Sequence, residues 1–224
     1  MGFGNFKTDS EVAKRFNLII EDSFFLKSLP FTIPEYELKR IQKHLGDRVS
    51  FVSEEAICED IIKPILNIFD DAYEEFRIWS HITYHVKPEE NLSGRPDFLI
   101  ARPTKIVDIM DVPPLCVIEV KKDNWEEGWA QALAEMYAAS LQGATVCYAV
   151  VTSGEEWQFG KFDKQAALFT KDKRKLHATD YPDEPNNLQR LFDTLNWVFD
   201  EASKVEIKAE DALRNVAHHF EKPS

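Results

Sequence analysis

Apolar and polar positions in this chain follow two periods, one helical and one alternating, and the switches between them outline its elements. Residues 9–46 read as helical with interruptions at Pro30 and Pro34, where Leu38, Ile41 and Leu45 recur at helical spacing before Gly46. Ser53 offers an N-cap for a further helix running through Leu66, with Glu54 and Glu55 at its positive end. Ile57, Ile61, Ile65 and Ile68 lie along one side of it, which predicts a face packed on a sheet. Pro64, inside that pattern, predicts a kink or a tightened turn. Residues 76–86 alternate as in a strand with one wet face, and a second strand is expected over 95–101. Residues 115–120 are apolar enough to form a central strand buried on both faces. A helix over 125–142 would carry Ala130, Leu133, Ala134, Tyr137 and Leu141 on one side. Residues 144–151 read as another buried strand, paired with 157–162 through a turn at Ser153-Gly154. The basic run 171–175 reads as a loop or strand end, and 188–202 as a helix bearing Leu191, Leu195, Trp197, Val198 and Phe199. The sum is an α/β fold, a mixed β-sheet flanked by helices.

Composition narrows the class. A chain of 224 residues with 44% hydrophobic and 12% aromatic content suits one globular domain with a sizeable core. Within it we expect a helical N-terminal extension over 1–48, a core over 49–200 and a C-terminal helix or tail over 201–224. No apolar run is long enough to span a bilayer and the N-terminus lacks a secretory layout, so a cytoplasmic protein with no membrane partner is expected. Cys58, Cys116 and Cys147 are scattered, which disfavours a disulfide framework or a Cys-x-x-Cys zinc site. Cys116 and Cys147 sit in apolar runs, as small buried hydrophobes do. The histidines, among them His81, His85, His218 and His219, show no ligand pairing, and His218-His219 reads as solvated. Trp125 and Trp129 read as packing residues. The formal net charge of −12 weighs against a simple nucleic-acid binder, whose phosphate contacts need lysine and arginine.

Two acids change that picture. Asp97 begins one apolar strand, directly after Pro96, and Glu119 closes another within Val117-Ile118-Glu119-Val120. An acid there is costly to bury unless it is paired or bound to a cation. Lys121 lies two residues beyond Glu119, so in a strand both side chains leave from the same face. Two carboxylates and a lysine at one sheet edge suit magnesium, a hard cation that takes oxygen ligands. Arg95 and Lys122 flank these residues and are candidates to meet phosphates.

Pro96-Asp97 followed by Glu119-Val120-Lys121 resembles the paired motifs of the PD-(D/E)xK nuclease superfamily. Residues 53–161 look most like the N-terminal nuclease domain of type I restriction enzyme R subunits. Ser53-Glu54 leading to Ile62-Lys63-Pro64-Ile65-Leu66 resembles that family's first helix, and Thr152-Ser153-Gly154-Glu155-Glu156-Trp157 its Thr-x-Gly-x-x-Trp hairpin. The resemblance implies a restriction-endonuclease-like fold hydrolysing DNA, or RNA, with Mg2+ or Mn2+, in restriction or defence. It further implies metal binding by Asp97, Glu119 and the Val120 carbonyl, with Lys121 positioning the attacking water. The first helix would supply another acid from among Glu54, Glu55 and Glu59, of which the Pro64 alignment favours Glu54. Gln131 stands where some members contact nucleic acid, but Glu135 occupies the place of the tyrosine four residues on. Two other readings remain open: a nuclease fold kept as a nucleic-acid or protein-binding module without turnover, and a subunit that acts only with a motor or specificity subunit.

Overall fold

The computed structural model describes residues 2–106 and 109–205. Its strands are β1 (Ile19–Ser23), β2 (Arg77–Ser80), β3 (Tyr84–Lys87), β4 (Leu92–Gly94), β5 (Phe98–Ala101), β6 (Cys116–Val120), β7 (Val146–Thr152), β8 (Glu156–Asp163) and β9 (Leu168–His177). Seven of them form one mixed sheet in the order β1-β9-β8-β7-β6-β5-β2, while β3 and β4 make a small ribbon of their own. β6 pairs with β7 in parallel, as β1 does with β9, and the remaining pairs are antiparallel. A parallel pair needs a crossover, and α5 (Trp125–Leu141) supplies it between β6 and β7. Alternate side chains of the central strands then feed two cores. Cys116, Ile118 and Val120 join one with Ile57, Ile61, Leu191 and Phe199; Val117 joins the other with Leu133, Ala134 and Val151. α4 (Lys63–Ala72) and α6 (Asn187–Ser203) cover the first face; α1 (Asp9–Phe16) and α5 cover the second.

Several expectations match the structure. Ser53 caps α3 (Glu54–Ile57), its hydroxyl accepting from the Ala56 N–H at 3.2 Å. All of β6 is buried, as are Cys116 and Cys147, and β7 pairs with β8 across the Ser153-Gly154 turn. Gly154 holds φ of 86°, a backbone glycine adopts without strain. Trp129 packs in the core and donates its indole N–H to Gln158 at 2.9 Å. Among the described residues, no helix is long and apolar enough to cross a membrane.

Four expectations need correction. Residues 9–46 are not helical between their prolines: α1 ends at Asn17 in left-handed backbone, and β1 follows. The β-branched pair Ile19-Ile20 finds a strand partner in β9, so the supposed helical extension contributes a strand to the main sheet. Only Glu35–Leu45 of that stretch's second half is helix, here α2. Residues 76–86 break at His81, whose φ of 50° turns the chain out of β2 and into the β3–β4 ribbon. The basic run 171–175 lies inside β9, where a ladder to β8 outweighs like-charge repulsion. Of the kink or tightened turn expected at Pro64, the tightened turn is not found: Cys58–Ile62, just ahead of it, is a π-helical turn, which is wider. α6 runs past position 200, and residues 206–224, with His218 and His219, lie outside the described residues.

Candidate active site

β5 and β6 run antiparallel with Phe98 opposite Ile118, which brings Asp97, just ahead of β5, level with Glu119. Strand parity sends Val117 into the α5-side core, and Glu119 and Lys121 follow on the same side. The backbone ties the two acids together. Asp97 Oδ2 accepts from the Val120 N–H at 2.8 Å, and the Asp97 N–H donates to Glu119 Oε1 over a longer 3.4 Å. Lys121 Nζ stands 3.5 Å from Glu119 Oε2 and 4.0 Å from Glu54 Oε2, an electrostatic contact with both. Its own N–H donates to the Thr152 carbonyl at 2.8 Å, extending the β6–β7 ladder by one residue. Glu54 reaches across from α3, and its Oε1 accepts from the Lys122 N–H at 3.1 Å. Asp97, Glu119, Lys121 and Glu54 therefore meet at one end of β5 and β6. Glu55 and Glu59 are exposed.

Gly128 permits this packing. A Cβ there would come within 2.8 Å of Lys121 Cγ and 2.9 Å of Val151 Cγ1, so the first turns of α5 lie directly on the lysine stem.

Burial dominates the electrostatics. It raises the Asp97 carboxyl above its usual range, opposed by the Val120 N–H and by Lys121. It raises Glu119 as well, and the neighbouring Asp97 adds to the effect. For Lys121 burial works downward, but Glu119, Asp97 and Glu54 outweigh it and hold the amine above the ordinary lysine value. The lysine is thus a fixed positive charge, not a base.

One residue at this site was not singled out by sequence. Glu135, on α5, is fully buried, and its carboxyl meets that of Glu119. Neither Glu135 oxygen has a hydrogen-bond donor, and neither does Glu119 Oε2. Burial, followed by the Glu119 charge, drives Glu135 well above the ordinary glutamate range. Two acids in such contact share a proton unless a cation takes its place. The available signal was that Glu135 sits among Ala132, Leu133, Ala134, Met136 and Ala138, in the most apolar stretch of α5.

The candidates for nucleic-acid contact are less concentrated. The Arg95 guanidinium donates twice to the His81 carbonyl, at 2.9 and 2.7 Å, and so braces a turn. Lys122 Nζ donates to the Val52 carbonyl at 3.3 Å. Gln131 is half-buried on α5, one turn before Glu135. Exposed basic side chains occur instead on β9, at Lys173, Arg174 and Lys175; Lys175 Nζ lies 3.9 Å from the centre of the Trp125 ring at the start of α5. No protein-family model and no curated protein matches the chain, so the chemistry of this strand end is read from its own residues.

Proposed function

We propose that this chain is a metal-dependent nuclease that hydrolyses phosphodiester bonds in DNA. The observation that carries the reading is the meeting of Asp97, Glu119, Lys121 and Glu54 at one end of β5 and β6. It agrees with the roles that the PD-(D/E)xK resemblance implies. The residues fit a divalent cation, because Glu119 Oε2 is buried without a donor and carboxylates are the hard ligands magnesium takes. Asp97, Glu119 and the Val120 carbonyl would hold magnesium or manganese. When bound, the metal supplies a Lewis acid beside the scissile phosphate and makes water there more acidic. Lys121, kept charged by its acidic neighbours, orients the attacking water and stabilises charge developing on the phosphate. Glu54 steadies the Lys121 ammonium and fixes the turn after β6 through the Lys122 N–H.

The net charge of −12, with Arg95 and Lys122 engaged by the His81 and Val52 carbonyls, favours the alternative of a module that binds without cutting. Purified protein incubated with plasmid and with single-stranded DNA, in magnesium or manganese and then with chelator, separates the two. The expected result is metal-dependent cleavage that the chelator abolishes. Lys121→Ala should lower it about 100-fold or more, the scale of one lost preorganised contact, with calorimetric metal affinity unchanged. Asp97→Ala should weaken both. Wild-type cleavage by Lys121→Ala would remove the lysine from the mechanism, and absence of cleavage by the wild type would leave the binding module.

A further inference from the structure

Asp97 stands between two groups of side chains. Glu119 and Glu135 lie toward α5, whereas Cys58, in the π-helical turn, belongs to the other core and His81, just after β2, is exposed beside Phe98. Cys58 Sγ, a ring nitrogen of His81 and a carboxylate oxygen of Asp97 all fall within 4.8 Å of one another, the one such trio of histidine, cysteine or acid among the described residues. His81 Nδ1 is 3.7 Å from Asp97 Oδ1. A tetrahedral zinc-class ion, with bonds of about 2.0 Å to nitrogen and oxygen and about 2.3 Å to sulfur, sets its ligands roughly 3.3–3.6 Å apart. The imidazole–carboxylate edge is already near that length, and the thiol, within 4.8 Å of both, needs to move by no more than about 1.3 Å to complete the triangle.

We propose that Cys58, His81 and Asp97 form a three-ligand site for a borderline transition metal of the zinc and cobalt class, separate from the magnesium position at Glu119 and with its fourth position open. The fold holds the ligands in place before any ion arrives. His81 takes left-handed backbone with φ of 50°, its N–H donates to the Asp97 carbonyl at 3.0 Å, and Arg95 clamps its carbonyl. The ring rests 5.8 Å from that of Phe98. Asp97, Glu119 and Glu54 around the thiol draw in a divalent cation, which binds the sulfur as thiolate and releases the thiol proton to solvent. Sulfur and imidazole ligands select against magnesium, which prefers oxygen. Because Asp97 serves both positions, zinc would compete with magnesium and act as a brake on cleavage. That last consequence rests on the nuclease reading; the metal site does not.

Cobalt(II) titrated into the metal-free full chain tests the site directly. The expected signal is a sulfur-to-cobalt charge-transfer band in the near ultraviolet, saturating at one equivalent with release of one proton. Cys58→Ser should abolish the band, and His81→Asn, which tolerates left-handed backbone, should weaken cobalt binding about tenfold or more. Glu119→Gln should keep the band. Cys116 and Cys147 are fully buried elsewhere, so a band lost with Cys58 reports this site. No band at one equivalent, or a band that survives Cys58→Ser, would overturn the proposal. In the cleavage assay zinc should inhibit the wild type in magnesium and spare His81→Asn; equal inhibition of both would remove the brake. A wild type that binds cobalt in this way but never cuts would retain the site and sink only the nuclease reading.

Discussion

The contact between Glu119 and Glu135 puts two acids where a core would ordinarily hold apolar side chains, and a shared proton or a cation must account for it. The two possibilities give Glu135 the same task, to hold the Glu119 carboxyl in one orientation. Substitution separates that task from packing. Glu135→Gln supplies an amide donor to Glu119, so cleavage should stay within about threefold of wild type. Glu135→Leu keeps the volume and removes a buried acid, so thermal stability should hold or rise by about 1 kcal/mol while cleavage falls about tenfold. Equal activity in both variants would reduce Glu135 to a core residue. Asp97, Glu119 and Lys121 could be read from sequence because each interrupts or ends an apolar strand, where a charge is conspicuous. Glu135 was hidden by the opposite context, since a lone acid on a helix ordinarily faces water. Cys58 and His81 were hidden because a π turn and a left-handed residue, neither of which has a periodic signature, carry them to Asp97.

Elements were legible where one period persisted: β6, β7, α5 and α6 lie close to their expected bounds. They were misread where a partner from far along the chain decided the outcome. Nothing local distinguishes Ile19-Ile20 from the end of a helix; the β9 ladder does. The basic run within β9 is stabilised by Asp172, which is buried and accepts from the Phe25, Leu26 and Arg174 N–H groups and from the Arg174 guanidinium. Burial alone would raise this acid, but the Arg174 and backbone N–H bonds together outweigh it and hold Asp172 at about 2, below the unperturbed 3.8. A lowered carboxyl stabilises the fold fully above the unfolded value and loses that contribution as pH falls through the folded one. Stability should therefore drop by about 2 kcal/mol as the pH is taken from about 4 to 2, and Asp172→Asn should flatten that part of a denaturant–pH series. Gly128 makes a second test at this scale. Alanine ordinarily improves a helix interior by about 1 kcal/mol, but here its methyl would meet the Lys121 stem and Val151. Gly128→Ala should show no such gain in melting temperature, and cleavage should fall about tenfold as the ammonium is displaced; a stabilised, fully active variant would show that the lysine has room to move.

Across the whole molecule, the nuclease reading is compatible with the acidic total only if positive charge is concentrated. The sheet register offers a place, because Glu119 lies opposite Val151, Val151 opposite Gln158 and Gln158 opposite Lys175. At about 4.8 Å per strand, Lys175, paired there with Glu156 at 2.9 Å, is roughly 14 Å across the sheet from the acid cluster. Lys173→Ala with Lys175→Ala should weaken DNA binding about equally for all sequences and reduce the salt dependence by up to about two phosphate contacts. An unchanged salt slope would move the binding face elsewhere. The same sheet also orders events during synthesis. Ile19 pairs with Leu168 and Ser23 with Asp172, so β1 leaves the ribosome early and waits for nearly the whole described chain before its partner exists. Glu54, Asp97, Glu119 and Glu135 all emerge before β9, so the acid cluster is exposed to the cell's metals before the sheet is closed. Closing so long a loop is entropically slow, and until it happens β9, already paired with β8 through a short hairpin, presents its other edge bare to any neighbouring nascent chain.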